Sequence, residues 1–240
     1  MISQFWAECL LTLRVLFRQP GFWVPTILFP AMLYTFFGAQ SGGTQWAANA
    51  MASFCVYAVV GVGFFQFGVS IAQDRESPFE AWQRSLPRSL TAQWSARIVA
   101  AVMITALAVA LVVAMALVLN AIRLDATAWA RLALVCLVSV VPATLLGIAL
   151  GTVASARAAV PLANLVYLPL AYLGGLWVPP MVMPSAIAAV SEWTPTRAMG
   201  ELSWAAVSGD PFEWSFVVLL LAWTLAAVLL ASFVQLRRRL

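Results

Sequence analysis

The sequence predicts an all-α integral membrane protein with six transmembrane helices, and three observations carry that prediction. Of its 240 residues 63% are hydrophobic, at a mean hydropathy of +0.94. Long apolar runs recur along the chain, and most of the few charged side chains fall between them. A soluble domain of this size could not cover so much apolar side chain with polar surface. A helix needs roughly 20 apolar residues to cross a bilayer, and the runs at 22–40, 50–72, 95–120, 128–154, 160–178 and 212–236 meet or approach that length. They account for one domain covering residues 1–240.

Before the first run, Ile2, Phe5, Trp6, Cys9, Leu13, Leu16 and Phe17 recur at helical spacing, with Gln4, Glu8 and Thr12 on the opposite stripe. This pattern predicts an interfacial helix over 2–18, lying flat on the membrane. It lacks the basic start and small-residue cleavage site of a signal peptide. Pro20-Gly21 turns the chain into the first span.

Between the second and third spans, residues 73–93 hold six charged side chains, Asp74, Arg75, Glu76, Glu80, Arg84 and Arg88, in a chain that is only 9% charged. Such a segment belongs in water at a membrane face. Ser77-Pro78 followed by Phe79, Glu80, Ala81 and Trp82 is a helix start: a serine cap, proline at the first helical position, and an acid near the positive end of the dipole. Pro87 stops the helix, which sets Phe79 and Trp82 apart from Glu80, Gln83 and Arg84. A solvated connecting loop is the plainer alternative.

The fourth span carries Ala143, Gly147, Gly151 and Ser155 at four-residue intervals, a stripe that lets another helix approach closely, within the bundle or across a subunit interface. Gln66 and Asn164 are the strongest polar residues inside the spans and are expected to bond between helices. After the fifth span, Gly174-Gly175, Pro179-Pro180, Pro184 and Pro195 interrupt a segment that stays apolar. Irregular backbone at membrane depth requires protein or a cavity beside it, so 174–210 is predicted to form a short re-entrant or interfacial hairpin on the outer face.

All 13 basic residues are Arg. Ten fall on one face (Arg14, Arg18, Arg75, Arg84, Arg88, Arg97, Arg157, Arg237, Arg238, Arg239) and three on the other (Arg123, Arg131, Arg197), which puts both termini in the cytoplasm by the positive-inside rule. Arg in place of Lys, with abundant Ala, suggests a GC-rich bacterial genome and hence a bacterial inner membrane.

Without Lys there is no GxxxxGK[ST] phosphate loop, so no ATP motif of that kind. Without His there is no zinc HExxH motif, no Ser-His-Asp triad and no imidazole shuttle. Cys9, Cys55 and Cys136 lack metal-site or CxxC spacing and are expected to be buried free thiols. The net charge of +4 is dispersed over loops and is no nucleic-acid footprint. No ionisable group of the kind that ion-coupled transporters use lies within a span interior, so the energy source is expected on another chain. A membrane enzyme would have to work with the carboxylates Asp74, Glu76 and Glu80, which Arg75 and Arg84 would keep ionised. A non-transporting assembly protein is a further alternative.

Arg75-Glu76, Leu86-Pro87-Arg88-Ser89, Leu173-Gly174-Gly175-Leu176-Trp177-Val178-Pro179, Met183-Pro184 and Thr194-Pro195-Thr196 stand in an order that resembles the membrane-spanning permease subunits of ABC-2 type ABC transporters. The resemblance covers the full length. It implies a non-enzymatic subunit that binds no cofactor itself, paired with a second permease as a homo- or heterodimer in the lipid bilayer. ATP would be bound by separate cytoplasmic ABC ATPase subunits docked on the helix after span two. It makes 73–93 a cytoplasmic coupling loop, with Asp74, Arg75, Glu76, Phe79, Glu80, Trp82 and Arg84 as coupling residues. Phe79 and Trp82 would be its apolar anchors.

Relatives of this kind export drugs, antibiotics, lipids, polysaccharides or haem-maturation components. Phe36, Phe37, Phe64 and Phe65, with Gln66 and Asn164, are candidates for a substrate path suited to a hydrophobic or amphiphilic compound; packing is the plainer role for such rings. Reversing Glu80 to Arg is expected to weaken ATPase assembly or uncouple hydrolysis from transport. Co-purification and coupled turnover matching the unaltered chain would count against docking there.

Overall fold

The computed structural model describes residues 2–18, 20–39, 43–78, 82 and 90–237, and among these every regular element is a helix. The order is α1 (Ile2–Phe17), α2 (Pro20–Leu33) continued by a π turn (Tyr34–Gly38), α3 (Thr44–Glu76), α4 (Leu90–Asn120), α5 (Ala126–Val153) and α6 (Ala159–Leu173). A 3-10 turn (Pro180–Val182), α7 (Ser185–Ser191), α8 (Pro195–Ser208) and α9 (Trp214–Arg237) complete it. Within α3, the stretch Gly63–Val69 is π-helical between two α-helical parts.

Six spans are expected from the sequence; among the described residues four helices prove long and apolar enough to cross a membrane, Thr44–Glu76, Thr91–Asn120, Ala126–Val153 and Trp214–Val234. The first and fifth apolar runs give shorter helices. Pro25 and Pro30 lie inside α2, each removing a backbone donor. The fifth run ends at Leu173 because Gly175 takes φ +75, a left-handed turn that glycine adopts without penalty. At 15 residues α6 is about 22 Å long, short of the roughly 30 Å of bilayer hydrocarbon.

The core is organised around α3. In its most apolar window 78% of residues are buried, against 28% for α4 and 17% for α9, so it runs through the middle while those two face outward. The surface it presents to α5 is made of backbone. A Cβ added to Gly147 would lie 2.0 Å from the Gly63 carbonyl oxygen, and one on Gly151 would lie 2.6 Å from that of Gly68. The Ala143-Gly147-Gly151 stripe is therefore packed within the bundle, one of the two readings open from the sequence. Glycines five apart on the wide π turn meet glycines four apart on an ordinary helix, because the π turn advances by an extra residue.

The segment 174–210 holds a glycine turn, a 3-10 turn and the helices α7 and α8, and α8 packs beside α9. Trp223 Nε1 donates to the Trp193 carbonyl at 2.8 Å, and Trp223 lies about 14 Å along α9 from its Trp214 end. That bond accounts for a tryptophan in the interior of an apolar run. α8 is capped by Thr194, whose side chain accepts from the Arg197 amide at 3.2 Å, with Pro195 at its first position. It packs against α3, α5 and α9, pinned to α3 by Trp204 Nε1 donating to Ser53 Oγ at 2.7 Å.

The start of α8 closes the end of α6. Thr196 Oγ1 donates to the Leu170 carbonyl at 2.5 Å, a second donor there beside the Gly174 amide, and Ser191 Oγ at the end of α7 donates to the Leu173 carbonyl.

α1 is a helix as expected and packs along α4, with Cys9 and Leu16 buried and Trp6, Leu10, Leu11 and Val15 exposed. All three cysteines are buried and free.

Gly147→Leu is expected to destabilise the chain by more than the roughly 1–3 kcal/mol of ordinary overpacking, since backbone rather than a movable side chain blocks the new atoms. Thermal unfolding in detergent checks this against Ala133→Leu, on an exposed position of the same helix, which should leave the midpoint unchanged.

Candidate functional site

At the end of α3 that carries Asp74, Arg75 and Glu76, three successive side chains reach three different places. Asp74 forms an ion pair with Arg97 of α4. Arg75 Nη1 donates to the carbonyls of Gly151 at 2.7 Å and Thr152 at 2.8 Å, the last turn of α5. Glu76 Oε1 accepts from the Ala156 amide at 3.0 Å, just past that helix.

A cation on the open carbonyls of a helix C-terminus is favoured by the helix dipole and by charge-assisted bonding, each such bond contributing about 1.5–3 kcal/mol. The partly exposed Asp74–Arg97 pair contributes at most about 1 kcal/mol. Arg75 is thus the main tie between α3 and α5 at this end, directly below the glycine seam.

The remaining anticipated coupling residues Phe79, Glu80 and Arg84 lie outside the described residues, as does the helix expected around them. Trp82 is described and exposed.

A cavity of about 580 Å³ opens between α2, α3 and α6. Its wall is mainly apolar and aromatic, with Phe29, Tyr57, Phe65 and Tyr167, and beside the two tyrosine hydroxyls its polar side chains are Thr26, Gln73 and Asn164. None of the residues lining it is charged. Tyr167 fixes one side: its ring stacks on Tyr57 at 4.7 Å between centroids, and its hydroxyl donates to the Tyr57 carbonyl at 2.8 Å.

Of the residues singled out for a substrate path, Phe65 and Asn164 line this cavity. Phe64 and Gln66 are buried on the core side of α3, while Phe36 and Phe37 are exposed on the π turn of α2. Asn164 Nδ2 donates to the Val160 carbonyl of its own helix at 3.1 Å, a bond within the helix where one between helices was expected. Tyr57, Tyr167 and Gln73 were not among the candidates. Both tyrosines lie inside apolar runs, and a phenol in such a run is a signal that could have found them.

A family model described as ABC-2 type transporter matches residues 3–207. The protein of Bacillus subtilis (strain 168) named "Putative transport permease YvfS" is 25% identical over 227 residues, covering 92% of each chain. No solved structure matches.

Arg75→Ala is expected to release the end of α5. Amide hydrogen exchange over 151–158 should rise about tenfold or more, the equivalent of about 1.4 kcal/mol, while amides near Val59 in the core of α3 stay protected. Exchange that stays at the unaltered level would show that Arg75 does not hold this junction.

Proposed function

Because the chain belongs to the ABC-2 type transporter membrane family, we propose that it is the permease subunit of an ATP-driven exporter for a hydrophobic or amphiphilic compound. In this reading the chain crosses the inner membrane six times, with α2 and α6 as the short crossings and both termini in the cytoplasm. It works as a dimer of permeases. A separate ATPase subunit docks on residues 73–93 and supplies ATP binding and hydrolysis.

The observation that carries the reading is the cavity between α2, α3 and α6. An uncharged wall of rings takes up an apolar body, and the three polar side chains orient a polar end, the usual construction of a site for a small organic molecule. A charged ion would find no counter-charge among the lining residues.

The ties of Asp74, Arg75 and Glu76 support a route for coupling. Movement imposed on the loop beyond Ser77 is delivered to α4 through Arg97 and to α5 through the carbonyls of Gly151 and Thr152. The cavity wall on α3 begins next to this junction, at Gln73. ATP-driven closure of the partner subunits would therefore tilt several helices together.

Inverted membrane vesicles containing the chain and its co-purifying ATPase test the reading. ATP-dependent accumulation is measured with a panel of lipophilic dyes and fluorescent phospholipids. Asn164→Trp, which fills the cavity from α6, is expected to lower accumulation about tenfold or more while the ATPase still co-purifies. Accumulation independent of ATP, or unaffected by the filled cavity, would refute it. A non-transporting assembly protein would retain its partner and show no accumulation with any probe.

A further inference from the structure

At the other end of the bundle, the first turns of α8 hold a charged pair. Arg197 Nε donates to Glu201 Oε1 at 2.7 Å and its Nη2 reaches the same oxygen at 2.6 Å. Its Nη1 donates to Ser191 Oγ at 3.2 Å, and the guanidinium carbon is 5.7 Å from the centre of the Trp204 ring. The two side chains are only 13% and 28% exposed.

The pair follows shortly after Trp193, which the Trp223 bond ties to a point well inside the apolar length of α9. Desolvating two charges costs several kcal/mol each, and apolar side chains of similar volume usually serve stability as well or better. A pair kept this far from solvent is therefore better explained by a ligand that uses both charges than by stability.

The pair opens on a cavity of about 270 Å³, separate from the larger one and walled by Phe37, Trp46, Trp177 and Trp204, with Asn49 beside them. Three features set what it takes. Its size falls below the roughly 300–1,000 Å³ of sites for drug-sized ligands, which suits a headgroup better than a whole amphiphile. Its charges come as one of each sign, both with capacity left among the described contacts. The guanidinium retains N–H groups on Nη1 and Nη2, and Glu201 is engaged through Oε1 alone. Indole faces next to a carboxylate also attract an ammonium group. Finally, Phe37 and Met181 at the cavity are strongly exposed, giving it an apolar margin for a chain attached to the headgroup.

We propose that this cavity binds an ammonium–phosphate zwitterion, the headgroup of an amphiphile. The phosphate oxygens meet the remaining N–H groups of Arg197, and the ammonium lies between Glu201 Oε2 and the indole faces. A ligand of one sign would satisfy one partner and leave the other facing its own charge. The site does not depend on the exporter reading, since a resident lipid and a transported one meet the same chemistry.

The test is quenching of tryptophan fluorescence in the purified chain, in maltoside detergent, by short-chain phosphatidylethanolamine and phosphatidylcholine, with phosphatidylglycerol of equal chain length as the anionic control. Saturable binding is expected for both zwitterions, about tenfold or more tighter than for phosphatidylglycerol. Arg197→Gln and Glu201→Gln should each weaken it about tenfold. Trp46→Ala, on the half-exposed rim, should weaken it several-fold with an unchanged melting temperature, which keeps the test valid if either charge variant fails to fold.

Glycerophosphoethanolamine separates the sources. Binding as tight as the lipid's supports a soluble zwitterion, and binding only with acyl chains supports a membrane lipid. Equal affinity for phosphatidylglycerol, or zwitterion binding that survives Trp46→Ala unchanged, would overturn the proposal.

Discussion

The carbonyl of Gly63 occupies the space where any side chain at Gly147 would have to be, and the carbonyl of Gly68 does the same to Gly151. Between apolar helices in lipid no water is expelled, so attraction has to come from close contact, and the closest contact is backbone on backbone. The seam lets α3 run through the centre with α5 pressed against its π stretch. It also fixes the lengthwise register of the two helices, which brings Arg75 over the last carbonyls of α5. A shift of one turn, about 5.4 Å, would leave that guanidinium without those acceptors.

The same logic of open backbone groups explains the opposite end. The Leu173 carbonyl at the end of α6 accepts from the Ser191 hydroxyl, and the Leu170 carbonyl takes Thr196 Oγ1 as a second donor beside the Gly174 amide. A helix that stops early, a tight glycine turn and a helix that enters later make one discontinuous element. The later helix, α8, is packed against α3, α5 and α9, and the glycine turn lies against its Thr196 and Trp204.

The apolar runs made the helices legible, since a run of that length has few other structural outcomes. The break in helix after Leu173 was legible from the prolines and glycines there, because they remove donors or permit left-handed turns wherever they stand. The small-residue stripe on α5 was visible too, but its partner was not. Gly63 and Gly68 are five apart, a spacing that has meaning only on a π turn, and no periodicity in the sequence announces one.

Asp74, Arg75 and Glu76 were recognised as a unit through family resemblance, yet their partners lie 23 to 80 positions away and depend on the register of α3 against α4 and α5. The cavity residues Tyr57 and Tyr167 were missed for a related reason, since two rings 110 positions apart become one wall only after folding.

The two ends of α6 are held unequally. From Tyr167 onward it is fixed by a stacked ring and by hydrogen bonds at Tyr167, Leu170 and Leu173, whereas near its start the alanine methyls of Ala159 and Ala163 fill the buried positions. The arm from Tyr167 back to Ala159 is about 12 Å long, so a pivot of 10° carries its far end through about 2 Å. The cavity between α6 and α2 therefore changes width at the cost of fewest contacts on the side where α6 begins.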